Sequence, residues 1–452
     1  MSDEQKVRGL LALAAELPDD VNPPVQRLLD QGRRIRARRL AAYSALTVIA
    51  VAAVVPLLIR GPGAANSRPA VPLPPSGLFP ARPQPVPRGP APAQLSRFRW
   101  SDLLPSPIGQ RSQPVLAWTG NELIELAGPN GPASAPAGWN DAAAAFSPAT
   151  GTWHPIAPVP AAMHLTNAFA VWTGRRLFVA NANVPSDEKA AVGTSAALYD
   201  PATNRWTQTP LPQQLAGATQ LAATWTGQVI VAAGAQSGQI SAAALNPATG
   251  QWTMLLSPAV SARHPAWYIS IVATPDRVIV WSFWYRVRPD VNYGVDVLAL
   301  GREGAWSDAT RRWPQEQFVS SPLYTGSAIL ISPSQIWCGL CSHPGGAYPP
   351  GLFADPATLR TAAIPPGPLG YTEAVFAWTG RGILATDLYD NVGGPGALRI
   401  RPDDMACYDP ATGRWRALPA PPGYPPLAAP PIWAGTQLLE LTNSGQLLAF
   451  HR

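Results

Sequence analysis

The sequence predicts an all-β fold, a seven-bladed β-propeller preceded by a single transmembrane helix, and three observations lead there. The first is a Trp-Thr-Gly triplet at Trp118, Trp172, Trp225 and Trp378, with Trp433-Ala434-Gly435 and Tyr324-Thr325-Gly326 as variants. Its spacings in chain order are 54, 53, 99, 54 and 55 residues, and the double interval leaves room for a worn unit at Ala273-Thr274-Pro275-Asp276. A period of this length belongs to propeller blades rather than to helical solenoids. The second is that the apolar runs inside each unit are short and bounded by turn residues, the mark of strands. The third is Leu40 to Ile59, twenty residues without a charge. Six blades are the alternative, should the worn fourth unit be an insertion.

From the amino end, residues 1–39 read as a cytoplasmic basic tail with short helical patterns at Val7–Ala14 and Val25–Leu29. That tail is either a docking helix for a cytoplasmic partner or a plain leader, and it lacks the His and Cys spacing of a zinc-binding anti-sigma module. Residues 40–59 span about 30 Å as a helix, one bilayer core. The five arginines from Arg33 to Arg39 predict the amino end inside and the rest outside. A cleaved signal peptide is the rival, with an over-long leader and apolar core. Residues 60–94 are read as a proline-rich extracellular stalk, extended at about 3.1 Å per residue. Residues 95–452 form the propeller.

Charge is uneven. Twelve Lys and Arg stand against six Asp and Glu before residue 96, and twenty-one against twenty-one after it. The balanced large domain gives no argument for nucleic acid. Arg over Lys and an Ala/Pro bias are the compositional habit of GC-rich bacterial genomes.

Within a blade, using the second as type, Phe169–Trp172 is strand a, Leu177–Ala180 strand b, Ala196–Tyr199 strand c, and strand d begins at Trp206. The c–d turn carries Ser147, Asp200, Asn246, Asp355 or Asp409, then Pro, with Gly151, Asn204, Gly250 or Gly413 closing it at positive φ. Leu359 breaks that pattern. The Trp that follows is expected to pack between neighbouring blades. Tyr-Asp-Pro-Ala-Thr-x-x-Trp at 199–206 and 408–415 resembles the kelch repeat of β-propellers, and the resemblance spans residues 95–452. Where kelch repeats carry a double glycine after strand b, this chain has Ala127-Gly128, Ala180-Asn181 and Ala233-Gly234.

The last unit ends one strand short. Arg97–Ser101, ahead of Leu103-Leu104-Pro105, reads like the other d strands and is expected to complete the seventh blade, with residues 95–104 closing the ring. In a four-stranded meander the long b–c and d–a loops share one face, where binding is expected. With the stalk entering from the short-turn side, that face points away from the membrane.

The expected function is non-catalytic recognition of an extracellular protein or glycan through this long-loop face. The alternative is an extracellular lyase or hydrolase with its site at the channel mouth. Blade 4 gathers Trp281, Phe283, Trp284, Tyr285 and Tyr293 with Arg286 and Arg288, able to stack on sugars and grip acidic groups. The competing reading is a blade repacked around its lost Trp. His164 and His264 precede strand a of their blades and share one rim. Cys338 and Cys341 in Trp-Cys-Gly-Leu-Cys resemble a thioredoxin motif, but a loop disulfide is the leading reading, ahead of free thiols, redox catalysis or a zinc pair with His343. Cys407 reads as a buried free thiol. Asp387, Asp390, Asp403 and Asp404 form either a solvated acidic loop or a calcium site. Neither a catalytic group nor a cofactor is expected, and a galactose-oxidase-like copper site has no counterpart.

Overall fold

The computed structural model describes residues 77–80, 89–111, 114–128, 141–163, 165, 168–181, 195–218, 220–236, 239–255, 266–286, 292–313, 319–332, 351–365, 374–387, 405–421 and 427–452. The tail and the apolar run of 40–59 lie outside them. Among the described residues no helix is long and apolar enough to cross a membrane.

Seven four-stranded antiparallel sheets form, each with its strands in spatial order a-b-c-d. The a strands of successive blades contact each other around most of the ring and therefore surround its axis. The worn fourth unit is a full blade, with strands Ala266–Ala273, Arg277–Arg286, Asn292–Gly301 and Trp306–Asp308. Seven blades, not six, make the ring.

Each repeat residue has a physical task. The Thr of Trp-Thr-Gly clamps the a–b turn: the Thr173 hydroxyl donates to the Arg176 carbonyl at 2.8 Å and accepts from its N–H at 2.9 Å. Thr119, Thr226, Thr274, Thr325 and Thr379 repeat the arrangement. In blade 7, Ala434 keeps only the backbone bond to Gln437. In the c–d turns the Asp200, Asn246, Asp355 and Asp409 side chains each accept from the N–H two residues on. Leu359 does adopt the positive φ of its position, 59°. For a residue with a Cβ that costs about 1–2 kcal/mol, offset by burying its side chain in the core between blades 4 and 5.

The strand-d tryptophans make two kinds of contact. Within a blade, three rings pack on the aromatic directly across from them on strand c: Phe146–Trp153 at 5.3 Å, Tyr199–Trp206 at 5.0 Å and Tyr408–Trp415 at 5.1 Å between centroids. Each indole N–H reaches a carbonyl just beyond strand d of the preceding blade. Trp153 donates to Leu104, Trp206 to Ala157, Trp252 to Thr209 and Trp415 to Pro365, at 2.7 to 3.4 Å.

Closure follows the same plan. Arg99–Asp102 pairs antiparallel with Leu448–His451 as the outer strand of blade 7. Trp100 packs on Phe450 at 5.2 Å and donates to Pro419 of blade 6 at 2.7 Å, the same indole bond as elsewhere. Leu95 and Phe98 add to the core between blades 6 and 7.

Of the segment read as a stalk, residues 77–80 and 89–94 are described, and they pack on the propeller. Leu78 and Phe79 are buried, 1% and 2% exposed, in the core between blades 3 and 4. Gly89 lies so close against the a–b turn of blade 6 that any Cβ there would collide with the Thr379 carbonyl oxygen. A short helical turn, Pro92–Leu95, begins at a proline, and proline does not prevent two adjacent bulky side chains further up from filling a gap.

Replacing Trp100 by Phe keeps the ring contact and deletes the N–H. Unfolding free energy should fall by about 1 kcal/mol, whereas deleting residues 95–104 should greatly lower the melting temperature. An unchanged melt for the deletion would contradict closure through this strand. Leu359→Gly relieves the turn but empties a buried site of the kind worth about 2–5 kcal/mol. Its denaturation midpoint should therefore fall, and a rise would mean that backbone strain outweighs burial.

Candidate functional site

The long-loop face is uneven, and blade 4 makes it so. Its strands b and c are ten residues each and pair without interruption from Arg277 opposite Gly301 to Arg286 opposite Asn292. The b strands of blades 1 and 7 have four residues, and those of blades 2 and 6 have five. Strand b of the adjacent blade 3 has seven residues, so at roughly 3.3 Å per residue that of blade 4 is about 10 Å longer. The run Val278-Ile279-Val280-Trp281-Ser282-Phe283-Trp284-Tyr285 favours this, since β-branched and aromatic side chains suit a pleated surface.

Alternation along this strand sorts the aromatic cluster. Ile279, Trp281 and Phe283 face blade 5 and belong to its core cluster; Val278 and Val280 face blade 3. Trp281 is 1% exposed and meets Trp313 edge-on at 5.5 Å, which withdraws its ring from anything in solution. Its Nε1 has no acceptor among the described residues. Trp284 is 8% exposed, on the opposite side of the strand from Trp281. The last three register pairs of the hairpin are Trp284 with Gly294, Tyr285 with Tyr293, and Arg286 with Asn292. Of the seven residues expected to bind ligand, Trp281, Trp284, Tyr285 and Arg286 thus share one strand. Arg288, His164 and His264 lie outside the described residues, as do Cys338, Cys341, Asp390, Asp403 and Asp404. Cys407 is a buried free thiol on strand c of blade 6, and burial pushes it up to about 12.

Two functional candidates were overlooked at the level of sequence. Glu125 and Glu440 each fall seven residues after the strand-a Trp, Trp118 and Trp433, in the runs Leu-Ile-Glu-Leu and Leu-Leu-Glu-Leu of adjacent blades. Both sit inside strand b, 0% and 1% exposed. Burial pushes Glu125 up to about 7, with the Ser106 hydroxyl and the Arg111 guanidinium pulling the other way. Neither of its oxygens has a hydrogen bond of good geometry among the described residues. Burial alone pushes Glu440 up to about 8. The two do not converge. Glu125 shares its face with Leu123, toward blade 7, and Glu440 shares its face with Leu438, toward blade 6. An acid in an apolar strand at a fixed offset from the repeat Trp was the available signal.

The innermost strands offer little chemistry. Among the described residues the only ionisable side chains on the a strands are Tyr268 and Tyr324, both raised by desolvation. No three His, Cys, Asp or Glu side chains among the described residues lie together as metal ligands. Two cavities of about 420 and 440 Å³ open on the short-turn face, one beside Gly435 and Thr436 and one beside Asp276 and Arg302. No protein-family model and no curated protein matches the chain.

The buried glutamates predict a pH dependence of stability. Their folded values lie above the ordinary 4.5, so the native state retains protons that the unfolded chain releases. Stability is therefore full below about pH 4.5 and declines as pH rises through about 7 to 8. A tenfold difference in proton affinity between the folded and unfolded states corresponds to about 1.4 kcal/mol. Urea midpoints should fall between pH 5 and pH 9, and Glu125→Gln with Glu440→Gln should flatten the decline. A decline of equal slope in the double variant would show that other groups cause it.

Proposed function

We propose that this chain is a membrane-anchored, kelch-like propeller of a bacterial cell surface that recognises a protein or glycan through its long-loop face, without catalysis. The observation that carries this reading is the hairpin of blade 4. A continuous ten-pair ladder is a stiff support, and it carries the positions of Tyr285 and Arg286 to the end of the longest hairpin among the described strands. Trp, Tyr and Arg as residue types suit the faces and acidic substituents of sugars, and equally an aromatic–acidic protein surface. Ligand sites are commonly carried on loops and hairpins held by a rigid scaffold. The uncharged run of 40–59, with five arginines before it, supports the anchor and the outward orientation.

The lyase or hydrolase alternative requires an acid–base pair at the channel mouth. Tyr268 and Tyr324 are poor candidates, because desolvation raises their already high values. Glu125 has a value suited to general base work, but it is fully enclosed between blades.

The test is capture of ligand from cell-surface extract by the full chain. Arg286→Ala should reduce capture about tenfold, in keeping with loss of one anchoring charged contact, with an unchanged melting temperature. Trp284→Ala should reduce it as well, at some cost in stability. Capture unchanged in both variants would remove the hairpin as the binding element.

A further inference from the structure

The short-turn face carries a feature that recognition by the opposite face does not use. The ring is complete without residues 77–80: the seven sheets close with Arg99–Asp102, and no described strand includes this segment. Nonetheless Gly77-Leu78-Phe79-Pro80 is seated in the seam between blades 3 and 4. Leu78 and Phe79 belong to the apolar cluster that also holds Val229 and Val231 of blade 3 and Val278 and Leu300 of blade 4. The Arg302 guanidinium carbon lies 5.6 Å from the centre of the Phe79 ring, and the same group donates to the Pro80 carbonyl at 2.8 Å. Arg302 is itself aimed by Asp276 at 3.2 Å and by the Pro275 carbonyl at 3.0 Å.

The residues that form this clamp are where blade 4 departs from the repeat. Its a–b turn is Thr-Pro-Asp-Arg where the other blades have Gly after Thr or Ala, and its c–d turn is Gly301-Arg302-Glu303-Gly304 in place of the Pro-Ala-Thr turn. Both substitutions supply parts of the clamp. The cavity of about 440 Å³ beside Arg302, with Asp276, Arg277, Glu303 and Ser307 in its wall, provides polar room next to the held carbonyl.

We propose that the seam between blades 3 and 4 is a peptide-recognition site for an aliphatic–aromatic–Pro segment, and that Leu78-Phe79-Pro80 is its occupant in cis, displaced by a partner protein carrying the same triad. Two inserted side chains and one carbonyl gripped by an arginine are how a short linear motif is held. The affinity of such a motif is concentrated in these few residues. Attachment in cis corresponds to an effective concentration on the order of millimolar, and a partner must outcompete that.

The probe is a fluorescent peptide of residues 74–83 added to the full chain, read by anisotropy. Leu78→Ser with Phe79→Ser vacates the seam and should bind the peptide saturably, at least tenfold more tightly than the wild-type chain. Arg302→Ala in that background should weaken binding about tenfold. A peptide with Ser at both apolar positions should not bind. Equal binding to wild type and variant, or none to a variant whose melting curve shows a folded propeller, overturns the proposal. If the double variant does not fold, Phe79→Ala is used with the same readings. A concentration-dependent dimer of wild type that the double variant lacks would support the site with a second copy as the partner.

Discussion

A propeller of seven sheets has seven seams, and six of them join consecutive stretches of chain. The seventh blade is assembled from the two ends of the domain, so the ring depends on the four pairs between Arg99–Asp102 and Leu448–His451. Backbone pairing alone would leave that strand on the rim, where water competes for its hydrogen bonds. Trp100 changes this by packing on Phe450 and donating its N–H to Pro419 of blade 6, so the closing strand is tied to two blades at once. The same bond recurs from Trp153, Trp206, Trp252 and Trp415 to the blade before each. Closure therefore adds no new chemistry; it applies the interblade bond across the gap between the chain's ends.

What was legible in the sequence was legible because it is local or periodic. Asp-Pro-Ala-Thr-Gly specifies a turn through one carboxylate, one fixed φ and one positive φ, all within five residues. The spacing of Trp-Thr-Gly specifies the blade count without knowledge of any contact. The acceptors of the indole N–H groups were not legible, because a carbonyl about one blade back comes within reach only through ring geometry. Leu78 and Phe79 were missed for a different reason. Averaged over a proline-rich segment two side chains scarcely alter composition, yet in a fitted seam each can contribute about 1.5–3 kcal/mol. Of the candidate site, the residue types of the blade 4 cluster were readable, but not their division between the two sides of a strand. Period-two alternation sends Trp281 into the core and leaves Trp284 opposite.

Blade 4 is also flanked by the two seams where the interblade indole bond is missing among the described residues. Trp306 occupies the strand-d position, but its Nε1 finds no acceptor there, and it packs instead against the cluster that contains Leu78 and Phe79. Five seams carry the indole bond; the two flanking blade 4 do not, since blade 5 has Thr361 at the strand-d Trp position, and between blades 3 and 4 the inserted segment fills the space. A site of this kind suits an exchangeable occupant. The bond that would otherwise close the seam is absent, and apolar insertion is released by competition, without a covalent step or a broken sheet. Loss of the repeat has consequences at both ends of one blade: an extended hairpin on the long-loop face and a clamp on the other. The same strand b runs from Arg277, beside the clamp, to Arg286 at the hairpin end. Both departures from the repeat are thus carried by one ten-residue strand.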